Sequence, residues 1–215
     1  MFRKFFLFFK TILIILRYLS FGYRRYAQIL ILILLNHPKK ILEVGVYSGK
    51  RSREMIEASL IFNNNIFYYG FDLFEKFKQK ILKTEFSKKP LSKKVIKIKL
   101  EKLCSIKLFE GYSDVTLPKF LKENKTIDFI FIDGGHSIKT IKNDWSNIKK
   151  MITKNSVVIF DDYYSDEKFS EKFGCNKIIK NLESEYKFKI LPVKDKIIFN
   201  KKVIFVQLVC VKKIN

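Results

Sequence analysis

From residue 40 onward, short apolar runs alternate with longer stretches whose apolar positions recur at helical spacing. KKILEVG (39–45), IFYYGFDLF (66–74), SIKLFEG (105–111), IDFIFID (127–133) and NSVVIFDDYY (155–164) read as five strands. SREMIEASLIF (52–62), VTLPKFLKEN (115–124) and SIKTIKNDWSNIKKMI (137–152) read as helices between them. Such alternation predicts an α/β fold with a parallel sheet covered on both faces. The tail differs, because YKFKILPV (186–193) and KKVIFVQLVCV (201–211) are two strands with only a short connection. The sheet is therefore expected to close with an antiparallel hairpin. Trp145, in the helix after the fourth strand, is expected in the core. Residues 75–104 are longer than a crossover requires and are read as a lid or substrate wall.

Residues 1–37 are more apolar and form a separate N-terminal unit ahead of a domain spanning 38–215. Two helices are expected within 1–35, broken at Ser20 and Gly22. No uncharged run is long enough to span a bilayer, and Arg17 interrupts any signal-peptide core. Arg3, Lys10, Arg17 and Arg24 recur every seven residues, a narrow basic stripe opposite a broad Phe, Ile and Leu face. Two placements follow: the helices lie on a membrane surface, or they pack on the domain or on a second subunit of a homo-oligomer.

Composition narrows the setting. At 215 residues, 47% of them hydrophobic, the chain can bury one sizeable core. Cys104, Cys175 and Cys210 are widely spaced and lack a CxxC pair, so neither a disulfide framework nor a thiolate zinc site is indicated, which fits a cytoplasmic setting. The net charge of +22 is spread through nearly every segment instead of clustering, so nucleic acid is not the expected partner.

Ligands of open parallel sheets bind beyond the carboxyl ends of the strands, and polar residues gather there in this chain. Strand one ends in Glu43, Gly45 and Gly49, strand two in Asp72, strand three in Gly111, Tyr112 and Ser113. Strand four ends in Asp133 and His136, strand five in Asp161 and Asp162. In EVGVYSGKRS the glycines stand four apart with an acid before the first, which disfavours a dinucleotide pyrophosphate site and suits a ligand with amino and carboxylate groups. Asp72 is placed to accept from both hydroxyls of a ribose, with Tyr112 and Ser113 as candidates for the adenine.

The E-x-G-x-x-x-G spacing, the acid ending strand two, D-G-G-H and F-D-D-Y-Y together resemble a class I S-adenosylmethionine-dependent methyltransferase with a Rossmann-like sheet. More narrowly, they resemble the metal-dependent O-methyltransferases of the catechol and macrocin type, over about residues 38–212. The resemblance implies that Glu43, Gly45, Tyr47, Gly49 and Ser52 surround the methionine part of S-adenosylmethionine, that Asp72 holds its ribose, and that Asp133 borders both cofactor and catalytic centre. It implies Mg²⁺ held by Asp133, Asp161 and Asp162, and His136 as general base near its ordinary pKa of about 6.5. Tyr112 departs from the pattern, since many relatives carry an acid there. The implied acceptor is a small hydroxylated molecule such as a sugar, and the lysines of 75–104 suit an anionic conjugate. Two alternatives remain open on the sequence: a metal-independent methyltransferase acting on RNA or protein, and a non-catalytic cofactor-fold protein docking a membrane or partner.

Overall fold

The computed structural model describes residues 2–85, 87–123, 126–199 and 201–214. Seven strands form one sheet in the order β3-β2-β1-β4-β5-β7-β6. β1 (Lys40–Val44), β2 (Phe67–Asp72), β3 (Ser105–Glu110), β4 (Phe129–Ile132) and β5 (Val157–Tyr164) are parallel. β6 (Tyr186–Phe199) and β7 (Lys202–Lys213) form the expected antiparallel hairpin, with β7 against β5. The hairpin arms run further than the apolar pattern indicated, because β6 re-registers between Ile190 and Lys194, around Pro192, and then continues its alternation.

Pleating divides the core in two. Ile41, Tyr68, Phe129, Phe131 and Ile159 face a cluster completed by α1 (Phe2–Phe21), α2 (Ala27–Asn36), α3 (Lys50–Ser59) and α5 (Lys93–Leu100). Leu42, Val44, Ile130, Ile132 and Phe160 face the other, completed by α6 (Ser113–Leu121), α7 (Ile138–Ile148) and α9 (Asn176–Lys180). Trp145 is buried in the second cluster against Phe160 and Tyr186. Asn124, the expected end of α6, and Phe86, within the expected lid, lie outside the described residues.

The N-terminal helices break where the sequence indicated: Gly22 and Tyr23 adopt positive φ, a 3-10 turn covers Arg24–Tyr26, and α2 follows. They pack on α3, which engages two cations of the basic stripe. Lys10 pairs with Glu57, Arg17 with Glu54, and the Arg24 amide donates to Asp195. Of the two placements, packing on the domain is the one seen, with Arg3, Arg17 and Arg24 still exposed on one side and Phe2, Phe5, Phe6, Phe9, Leu13 and Leu16 exposed as well. Among the described residues, no helix is long and apolar enough to cross a membrane.

Between β2 and β3, residues 75–104 divide into two parts. α5 is an ordinary crossover helix whose Ile96 and Leu100 are fully buried. The segment around the short α4 (Lys80–Thr84) instead walls a cavity with Phe77, Ile81, Glu85 and Lys88. The short α8 (Glu167–Ser170) follows β5.

Candidate functional site

The carboxyl ends of β1, β2, β4 and β5, with the loop after β3, open onto a cavity of about 690 Å³. Its floor depends on a close backbone approach. Gly45 takes φ +94°, its amide donates to the Phe71 carbonyl at 2.9 Å, and a Cβ there would land on the Asp133 carbonyl. Only glycine lets the loops after β1 and β4 touch in this way.

Asp72 stands on one side of this contact. Its carboxylate accepts from the Tyr47 amide at 2.8 Å and the Leu73 amide at 2.6 Å, so it also ties the glycine loop to the end of β2. Burial pushes its pKa up, and the backbone donors work against that. Gly45, Tyr47, Asp72, Tyr112, Ser113, Asp133, His136 and Asp162 all line the cavity. Tyr112 is exposed, and the Ser113 hydroxyl lies beside buried Asp144, whose carboxyl burial pushes up to about 7.

Glu43, Gly49, Ser52 and Asp161 are not among the lining residues. Glu43 shares its strand face with Ile41 and is 1% exposed beneath the loop. Its Oε2 accepts from Ser52 Oγ at 2.5 Å and from the Tyr68 hydroxyl. Burial pushes this carboxyl up to about 7, although Ser52 and Tyr68 pull it down. Glu43 and Ser52 therefore brace the loop from below. Gly49 caps α3 in the left-handed conformation.

The end of β5 contains the turn that adjacent acids need if both are to reach one site. Register shifts between Phe160 and Tyr163, and Asp162 adopts φ 65°. The two acids nevertheless diverge. Asp162 Oδ2 binds His136 Nδ1. Burial would lower the His136 pKa, but Asp162, helped by Asp133 and Asp161, raises it to about 9, so the imidazole is not near its ordinary value as expected.

Asp161 meets Arg25, a residue of the N-terminal 3-10 turn that the sequence reading passed over. Arg25 Nε donates to Asp161 Oδ1 at 2.7 Å and Nη2 to Oδ2 at 2.9 Å. Tyr26 Oη donates to Oδ2 at 2.8 Å, and the Asp162 amide to Oδ1 at 2.8 Å. Four donors saturate that carboxylate. Burial would raise its pKa, but Arg25 and Tyr26 hold it below the usual range. Asp133 lacks such support, and burial, then Asp161 and Asp162, push it well up.

The expected Mg²⁺ does not fit this donor set. A divalent ion needs unshared oxygens, whereas Asp161 is occupied by a guanidinium and Asp162 by an imidazole. Among the described residues, no three His, Cys, Asp or Glu side chains are grouped to hold an ion. Arg51, also unanticipated, lines the cavity with its guanidinium 3.5 Å from the Tyr26 ring centroid. Glu85 latches the α4 wall to the loop after β4, accepting from the Ser137 amide and hydroxyl at 2.8 Å and the Thr140 hydroxyl at 2.9 Å. Neither periodicity nor spacing signals these partners, which meet only in the fold.

The family model described as a methyltransferase domain matches residues 42–163, more than half of the chain. A protein of Acanthamoeba polyphaga mimivirus described as uncharacterised is 30% identical over 87 residues, 38% of this chain and 39% of that protein. The alignment thus spans well under two thirds of that relative. The fold is similar to the O-methyltransferase TomG of Streptomyces achromogenes, involved in tomaymycin synthesis and solved with SAM: TM-score 0.60, 13% identity, 92% of this chain and 82% of that one. It is also similar to an O-methyltransferase from Bacillus cereus in complex with SAH: TM-score 0.59, 14% identity, 98% and 90% coverage.

Proposed function

Because the chain belongs to the methyltransferase-domain family, we propose that it transfers a methyl group from S-adenosylmethionine to a hydroxyl of a small acceptor. One observation carries this reading: a single cavity receives Asp72 from one side of β1 and the His136–Asp162 pair from the other. Asp72 takes the ribose, the loop of Gly45 and Tyr47 the methionine part, and Tyr112 and Ser113 the adenine end. Asp133 borders cofactor and acceptor. Glu43, Gly49 and Ser52 act through the loop.

The acceptor oxygen attacks the methyl carbon, the carbon–sulfur bond breaks, and its electron pair stays on sulfur as the neutral thioether. Asp162 occupies His136 Nδ1, so Nε2 is the nitrogen that takes the hydroxyl proton in the neutral form of the ring, a form that Asp162 makes scarcer by raising the pKa to about 9. No step is routed through Mg²⁺. Arg51, Lys50, Lys80 and Lys88 border the cavity, which favours an acceptor with a carboxylate or phosphate, such as an anionic sugar conjugate.

Purified protein, S-adenosylmethionine labelled in the methyl group and fractionated small-molecule extracts test the reading. Label should appear in a small acceptor as an alkali-stable ether. Failure to bind the cofactor in calorimetry, or label recovered only in RNA or protein, would overturn it.

A further inference from the structure

The cation at the end of β5 is part of the chain. We propose that Arg25 supplies the positive charge for which a methyltransferase with acids at Asp133, Asp161 and Asp162 would otherwise need a divalent ion, so the protein binds none there. The inference concerns the same cavity and rests on the methyl-transfer reading for its catalytic meaning, but its test needs no acceptor.

Three features place the guanidinium there. It meets both Asp161 oxygens, the geometry in which a guanidinium fork matches a carboxylate. It is held from behind, since Arg25 Nη1 donates to Asp195 Oδ2 at 2.8 Å and the Arg24 amide to Asp195 Oδ1 at 2.6 Å. It is also 7% exposed and lies 4.3 Å from the Tyr26 ring centroid, so it cannot swing into solvent without unpacking the turn. His136 neutralises Asp162 in the same manner. Each β5 acid thus has its own cation, and the N-terminal segment completes the site instead of standing apart from it.

Mn²⁺ titration of the full-length protein, followed by electron paramagnetic resonance of the free ion, tests this directly. Wild type should show no saturable site up to millimolar Mn²⁺. Arg25→Ala frees the Asp161 carboxylate beside Asp133 and should bind Mn²⁺ more tightly than wild type by roughly tenfold or more, a gain that Asp161→Asn added to it removes. Circular dichroism establishes that the variants are folded, and Arg25→Lys, which keeps the charge, should behave as wild type. Saturable micromolar Mn²⁺ binding by wild type that Asp161→Asn abolishes would overturn the proposal, whatever happens to the variants at Arg25. A folded Arg25→Ala protein that gains no Mn²⁺ would overturn it too, since the guanidinium would then not stand in an ion's place. A failure of the methyl-transfer reading would instead appear as absent cofactor binding with the Mn²⁺ results unchanged.

Discussion

The Ser52 hydroxyl donates to the Glu43 carboxylate at 2.5 Å in a pocket sealed beneath the glycine loop. Glu43 is protonated in the fold up to about pH 7, whereas an unfolded glutamate ionises well below that. The native state therefore binds more protons than the unfolded chain between the two values, so the contribution of Glu43 to stability falls as pH rises through that window and levels off above it. The loss is of the order of 3 kcal/mol. Glu43→Gln keeps acceptors for Ser52 and Tyr68 without the charge. Urea unfolding at several values from about pH 5 to pH 8 should show the variant gaining on wild type as pH rises; parallel curves would mean that Glu43 does not titrate there.

Gly45 and Gly22 share φ +94°, which separates two costs. A Cβ at Gly22 meets nothing within 4 Å, so Gly22→Ala should cost only the backbone penalty, about 1 kcal/mol. A Cβ at Gly45 meets the Asp133 carbonyl and lies 2.8 Å from the Gly134 Cα. Gly45→Ala should lose at least about 2 kcal/mol more, because two main chains must separate. Thermal melts of the two variants measure the difference, and equal shifts would contradict the close approach.

Much of the fold was legible because it is written locally. Strand and helix periodicities are short-range, and the polar residues that close each strand stand beside the apolar runs they terminate. The break at Gly22 was equally visible. Arg25 was not, since its carboxylate partners are 136 and 170 residues away and no local pattern couples them. Glu43 shows a subtler limit. It lies next to the glycine loop in sequence, but the pleat turns it toward Tyr68 on the α3 face, away from the cavity. The basic stripe is visible in the sequence but its placement was left between membrane and domain, because the acids Glu54 and Glu57 that Lys10 and Arg17 meet sit on another helix.

That placement makes the N-terminal helix testable. Replacing Lys10 and Arg17 with Gln removes partners of buried acids and should lower the melting temperature, with little effect on co-sedimentation with anionic vesicles. Phe6→Ser with Phe9→Ser alters exposed positions and should leave the melt nearly unchanged. Any self-association or vesicle binding should weaken in that second variant. Vesicle binding lost only with the cations would restore the stripe as the contact face.

On the proposed reading, Asp72 holds the ribose of the cofactor. Asp72→Ala should weaken S-adenosylmethionine binding by roughly 1.5 to 3 kcal/mol, the worth of hydrogen bonds to a charged group. It also releases the Tyr47 amide, so Asp72→Asn, which keeps one acceptor oxygen, should fall between Ala and wild type. Calorimetry with unchanged affinity in both variants would remove Asp72 from the site.

His136 and Asp162 should separate proton removal from binding. With Nδ1 held by Asp162, His136→Ala deletes the proposed proton acceptor but leaves Asp72 and the glycine loop in place. Cofactor affinity should hold while turnover drops on the order of 10² to 10⁴. Asp162→Asn should fail differently: the ring remains, but the carboxylate that raises its pKa is gone. A smaller loss of turnover is expected, with the acid limb of the pH–rate profile moved to lower pH because the ring becomes neutral sooner. Rates for the labelled methyl group across pH, with each variant saturated in cofactor, measure both effects. Unaltered turnover in His136→Ala would leave the D-G-G-H turn as scaffolding for the Gly45 contact and assign the proton to another group.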